Sequence, residues 1–153
     1  MRIFLSNVLL VLIAVFYSTF AFSQQMQSNT SDLAIEGYSP VSYFTKNLAE
    51  KGKPEFSVTY ISKTYYLASK EQVRLFNTNP KKYVPQFGGH CSYNLALGRK
   101  VNIDPTSFKI INNLLYLFHN SAKFDALKEW NKQPNEKNLL KKAKGQFTLY
   151  EFG

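Results

Sequence analysis

A small α+β domain with two β-hairpins and several short helices is what the sequence predicts. Three observations carry this: alternation at Phe56, Val58 and Tyr60, two β-rich runs split by Asn112-Asn113, and short apolar patterns at helical spacing around them. The first hairpin pairs 56–60 with 64–68 across a turn at Ile61-Ser62-Lys63. The second joins 108–111 to 114–118, because asparagine tolerates the positive φ that a two-residue turn needs. Ahead of the first hairpin, Gly37 and Pro40 mark a turn, an apolar run through Phe44 predicts a short helix, and Lys51-Gly52-Lys53-Pro54 is a loop. Ser69 is an N-cap candidate, with Glu71 and Gln72 behind it. The helix it starts carries Val73, Leu75 and Phe76 and stops near Asn77, ahead of Asn79-Pro80. Residues 81–89 form an aromatic, glycine-containing connection. A helix over 90–97 is closed by Gly98, and 101–104 is short and extended. Ser121 caps a helical region with Phe124, Leu127 and Trp130 at three-residue spacing; Pro134 interrupts it, and 139–143 form a last turn. No internal repeat is visible.

The 153 residues suit one domain. Met1-Arg2, an apolar stretch over 8–16 and the small-x-small end at Ala21-Phe22-Ser23 have the layout of a secretory signal peptide, with cleavage expected after Ser23. A membrane-spanning helix needs roughly 20 apolar residues, and Tyr17, Ser18 and Thr19 interrupt this run. The expectation is therefore a signal peptide over 1–23, a disordered polar leader over 24–33, a folded domain over 34–147 and a C-terminal tail over 148–153. The product is exported, periplasmic or secreted, with no stable membrane insertion after cleavage. One cysteine excludes an internal disulfide, and 10 Tyr and 13 Phe supply apolar area for a core instead. The formal charge of +9 reads mainly as solvated lysine, since the lysines are spread along the chain, with local clusters at Lys81-Lys82 and Lys141 to Lys144, and export removes most contact with nucleic acid; a true anion-binding face is the alternative.

Several segments form a pattern: Gly37-Tyr38-Ser39-Pro40-Val41-Ser42-Tyr43-Phe44, then Tyr60 to Ala68, then Phe76-Asn77-Thr78-Asn79-Pro80-Lys81-Lys82-Tyr83, then Pro85-Gln86-Phe87-Gly88-Gly89-His90-Cys91, with Asp104-Pro105 and Leu115-Tyr116-Leu117 after them. In this order they resemble the YHS-domain family, in its exported, stand-alone bacterial branch within a TRASH-like superfamily, over nearly all of 34–147. The resemblance implies an α+β fold and, for the wider family, heavy-metal binding through cysteines. The metal-type motif places those cysteines where this chain has Ser42, Ala68 and Gln72. A structural zinc site needs about four N or S ligands, so that site does not carry over. What the resemblance leaves is Cys91 behind the Gln86, Gly88 and Gly89 backbone motif, at a position that is selenocysteine in some relatives.

Gly88-Gly89 permits a sharp turn and a close approach to a ligand. Placed in the first turn of a helix, Cys91 gains a lower thiol pKa from the backbone N–H groups. A soft thiolate beside an imidazole suits copper or another soft metal ion, with His90 or His119 assisting. Two ligands make a transient site, which fits handover to a partner protein. The enzyme alternative is a peroxidatic or thiol-exchange Cys91. The third reading is a non-catalytic protein-binding module in which Cys91 is packed, as free cysteines commonly are. No Cys-x-x-Cys, phosphate loop or paired-carboxylate signature appears, and no third group orients a Cys-His pair. The balance is against an enzyme.

Overall fold

The computed structural model describes residues 33–152, so the expected signal peptide and, apart from Leu33, the leader lie outside the described residues. A left-handed turn over Ala34–Gly37 opens the fold and leads into α1 (Pro40–Thr45). Strands β1 (Lys53–Tyr60) and β2 (Lys63–Leu67) form an antiparallel hairpin, followed by α2 (Lys70–Thr78) and α3 (Pro80–Tyr83). A second left-handed turn over Gln86–Gly89 leads into α4 (Ser92–Ala96). The hairpin of β3 (Asp104–Ile111) and β4 (Leu114–Phe118) comes next, then a small one of β5 (Asn120–Ser121) and β6 (Phe124–Asp125). Helices α5 (Ala126–Asn131) and α6 (Glu136–Phe152) end it. The α+β class with its two main hairpins is as expected, and among the described residues the strands make three two-stranded sheets.

The structure contains a repeat that the sequence does not show. In each half a left-handed turn, a short helix and a hairpin follow one another. Both hairpins join an 8-residue strand to a 5-residue strand. Both interrupt the register at the same place, between Lys53 and Ser57 in one and between Asp104 and Phe108 in the other. Leu33 bridges in parallel to Thr64, the second residue of β2, as Pro85 does to Leu115, the second residue of β4. Tyr38 N–H donates to the Ile35 carbonyl at 2.9 Å, and His90 N–H to the Phe87 carbonyl at 3.0 Å. Few residues are shared between the halves (Gly37 with Gly89, Pro54 with Pro105, Tyr65 with Tyr116), so backbone geometry repeats while side chains diverge.

Two cores divide along β4. Leu115 and Leu117 point into one with Val41, Tyr43, Leu67 and Phe76, whereas Tyr116 and Phe118 point into the other with Cys91, Leu95, Trp130 and Ala143. The two-residue period of a strand sends successive side chains to opposite faces, and here both faces are covered. Tyr43 ties the halves together, its hydroxyl donating to the Pro105 carbonyl at 2.8 Å. Burial first, and then the neighbouring Tyr38, push its pKa far above the ordinary phenol value, which keeps it a donor.

Three expectations need correction. Helix α4 begins at Ser92 and not at His90, because His90 and Cys91 remain extended as the chain leaves the left-handed turn. The region that Ser121 was expected to cap is the β5–β6 hairpin. The helix starts after Asp125, whose carboxylate accepts from Lys128 N–H at 2.9 Å. The expected last turn over 139–143 lies within a 17-residue helix that reaches Phe152, inside the expected tail. Leu139 and Ala143 bury against the α4 side of the second core, and the Tyr150 hydroxyl donates to the Gly98 carbonyl at 2.8 Å. Packing of that face stabilises the helix more than its own propensity does.

Candidate functional site

Cys91 is the N-cap residue of α4 and is 0 % exposed. Its backbone N–H donates to the Val101 carbonyl and its carbonyl accepts from Leu95 N–H, both at 3.0 Å. The sulfur makes no capping bond to the helix backbone. Its donor is instead the side chain of Asn94, whose Nδ2 lies 3.1 Å from Sγ. The expected support from a helix start is thus replaced by one amide, which the sequence did not single out. Position for position, Cys91 matches Ser39. Ser39 caps α1, is also 0 % exposed, and donates its N–H to the Glu50 carbonyl at 2.8 Å.

The side-chain hydrogen bond to that sulfur comes, among the described residues, from Asn94, whereas His119 is bonded to Asn102. Among the described residues no three His, Cys, Asp or Glu side chains converge in a way that could hold a metal ion. His90 is half-buried. Burial, and then the Lys100 ammonium, hold its imidazole below the ordinary value of 6.5. His119, just past β4, has Nδ1 3.2 Å from the Asn102 carbonyl oxygen, a hydrogen bond that fits a side chain anchored at a strand end. Phe87, Gly88 and Gly89 all have positive φ, at 57°, 60° and 82°. The glycine pair does permit a close approach, but protein occupies the space: a Cβ at Gly88 would stand 3.5 Å from the Phe147 ring.

Ser42, Ala68 and Gln72, the positions to which the YHS resemblance would assign cysteines, do come together. Gln72 Nε2 donates to Ser42 Oγ at 2.9 Å, while its Oε1 accepts from Ala68 N–H at 2.9 Å and from Ser39 Oγ at 2.6 Å. Ser42 Oγ donates to Glu50 Oε2 at 2.6 Å, and Lys46 reaches both oxygens of Glu50 at 2.8 Å. The Lys46 hydrogen bond, and then that of Ser42, hold the Glu50 carboxyl below its usual 4.5. This closed network satisfies its buried polar groups, as a stable interior requires. It presents oxygen and nitrogen where soft metals prefer sulfur.

A third feature lies at the other side of the second core. One face of α6, together with the 86–87 turn and the start of β4, bounds a cleft of about 850 Å³. Phe87, Leu114, Tyr116, Leu140 and Phe147 make its floor, and Lys137, Lys141 and Lys144 stand along its rim. Gln86, expected only as a motif residue, lines it as well. The lysine cluster at 141–144 was the one sequence signal near this cleft; its apolar walls come from elements whose helical or strand register had to be known first. Comparison of the chain with known protein families, curated proteins and solved structures returns no match.

Proposed function

We propose that the protein is an exported, YHS-like, non-catalytic binding module in which Cys91 is a packing residue. The match between Cys91 and Ser39 carries this. Both are fully buried N-caps of equivalent short helices, so the fold asks for a small side chain at that place in each half. A peroxidatic or exchanging thiol needs an accessible sulfur, and this one has no exposed surface. The meeting of Ser42, Ala68 and Gln72 supports the YHS resemblance, since a ligand set must converge, and their polar replacement supports a role other than that family's thiolate site. No helix among the described residues is long and apolar enough to cross a membrane, which accords with a product free of stable membrane insertion.

One observation favours a second reading, the handover of copper or another soft metal to a partner protein. The Asn94 amide donates a hydrogen bond to Sγ, and burial of the neighbouring His90 favours the neutral imidazole, the form that ligates. Titration with Cu(I) under reducing conditions, comparing the protein with Cys91→Ala, separates the two. Equal and weak binding by both is expected, together with alkylation of Cys91 that becomes fast only in denaturant. Tight binding by the parent that Cys91→Ala abolishes would overturn the packing role in favour of metal handover.

A further inference from the structure

The cleft beside α6 has features that core packing does not require. On the helix, Lys137, Lys141, Lys144 and Thr148 recur at steps of one turn, so they line one side of it, and Leu140 and Phe147 point to its floor. The opposite side of α6, with Leu139 and Ala143, is the one committed to the core. Leu114, Leu140 and Phe147 on the floor are only partly buried, and so retain apolar surface that an occupant would cover. No aspartate or glutamate lines the cleft. Among the described residues, none of Lys137, Lys141 and Lys144 has a carboxylate within ion-pair distance, a state they share with most other lysines of the chain. Lined by apolar and neutral polar side chains with lysines as its only charged groups, the cleft is complementary to a molecule with an apolar body and an anionic head. Small-molecule sites commonly enclose roughly 300–1,000 Å³, and this cleft falls in that range.

We propose that this cleft binds the carboxylate form of a single acyl chain, with the chain on Phe87, Leu114, Tyr116 and Phe147 and the head between Lys141 and Lys144. This rests on the reading of the protein as a binding module and names the chemistry of its ligand. A free acyl anion is preferred to a bilayer because Phe87, Leu114, Tyr116, Leu140 and Phe147 line a concavity; Leu149 and Phe152 near the end of α6 do face outward, as a surface-binding helix requires, so vesicles are one arm of the test. Lysine suits the head as a mobile point charge, with no need for the fixed fork that arginine would impose.

Calorimetric titration of the protein with dodecanoate, kept below its micelle concentration, tests this. Saturable one-to-one binding is expected, with dodecanol and dodecyltrimethylammonium weaker by at least about tenfold. Lys141→Glu/Lys144→Glu should lose at least about tenfold while keeping its melting temperature; Lys141→Gln/Lys144→Gln serves if the charge reversal disturbs folding. The Phe147 ring signals should shift on addition of dodecanoate. Absence of saturable binding, equal binding of dodecanol, or undiminished binding by the folded lysine variants would overturn the proposal. Binding to phosphatidylglycerol vesicles without binding to free dodecanoate would overturn it too, assigning the lysines to a membrane surface. Cys91→Ala should bind dodecanoate like the parent, and the copper titration reads the packing role of Cys91 separately, so either idea can fail without the other.

Discussion

Ser92 Oγ, next in the chain to Cys91, is buried without a hydrogen-bond partner in a residue that is 0 % exposed. A buried hydroxyl left unsatisfied costs about 1–3 kcal/mol, and removing it without leaving a large hole recovers part of that. Ser92 is also the first residue of α4, where alanine is a good helix former. Ser92→Ala is therefore expected to raise stability by roughly 1 kcal/mol, read as a higher urea midpoint at unchanged slope. A loss of similar size would show that the hydroxyl has a partner after all. Cys91 beside it shows how far a residue can be read in isolation. Its glycine-rich surroundings were legible, and the positive φ of Gly88 and Gly89 bears them out. Its burial and its Asn94 partner depend on where α4 begins, two residues later than the helical pattern indicates.

Helix α6 is fixed to the fold at its first residue. Glu136 accepts from Lys109 Nζ of β3 and, at 2.8 Å, from Trp130 Nε1 of α5. The Lys109 hydrogen bond, and after it that of Trp130, hold the Glu136 carboxyl below its usual 4.5. A folded pKa below the unfolded one adds stability that is fully present above the unfolded value and is lost as the pH falls through the folded value. Stability should accordingly decline on the acid side of 4.5, with Glu50 adding to the same slope. Glu136→Gln should cost less than about 1 kcal/mol at pH 7, because the pair is partly exposed, and should flatten the acid decline. Urea midpoints taken at pH 7 and on the acid side of 4.5 decide this; an acid decline as steep in the variant as in the parent would remove Glu136 from the account. The helix itself was hard to read. Its buried positions are few, lysines occupy much of the rest, and Gly145 lowers its propensity. The hairpins were easy by comparison, since Asn112 and Asn113 adopt the positive φ their type favours, at 52° and 61°. Ile61 and Ser62 make the matching turn of the first hairpin with φ of 46° and 57°. A β-branched residue rarely adopts that conformation, which is why the sequence suggests a turn one residue longer than the structure has.

At the level of the whole molecule the decisive element is β4, a strand that serves two cores at once. Leu115 and Leu117 belong to the first, Tyr116 and Phe118 to the second, and all four are buried. Continuous burial along a strand leaves no solvent face on which one half could loosen while the other stays packed. The Tyr43 hydroxyl on Pro105 adds a buried bond across the same boundary. Two repeated halves would melt separately if each owned its hairpin and core; sharing β4 couples them into one transition. Leu117→Ala tests the coupling, because Leu117 lies in the first core and Trp130 in the second. Truncating a buried leucine costs about 2–5 kcal/mol. That cost should appear undiminished in the unfolding midpoint reported by Trp130 fluorescence, coincident with the midpoint from far-ultraviolet circular dichroism. A Trp130 midpoint that stayed at the parent value while the dichroism signal moved would mean that the halves unfold independently, and that the cleft on the second core is supported without the first.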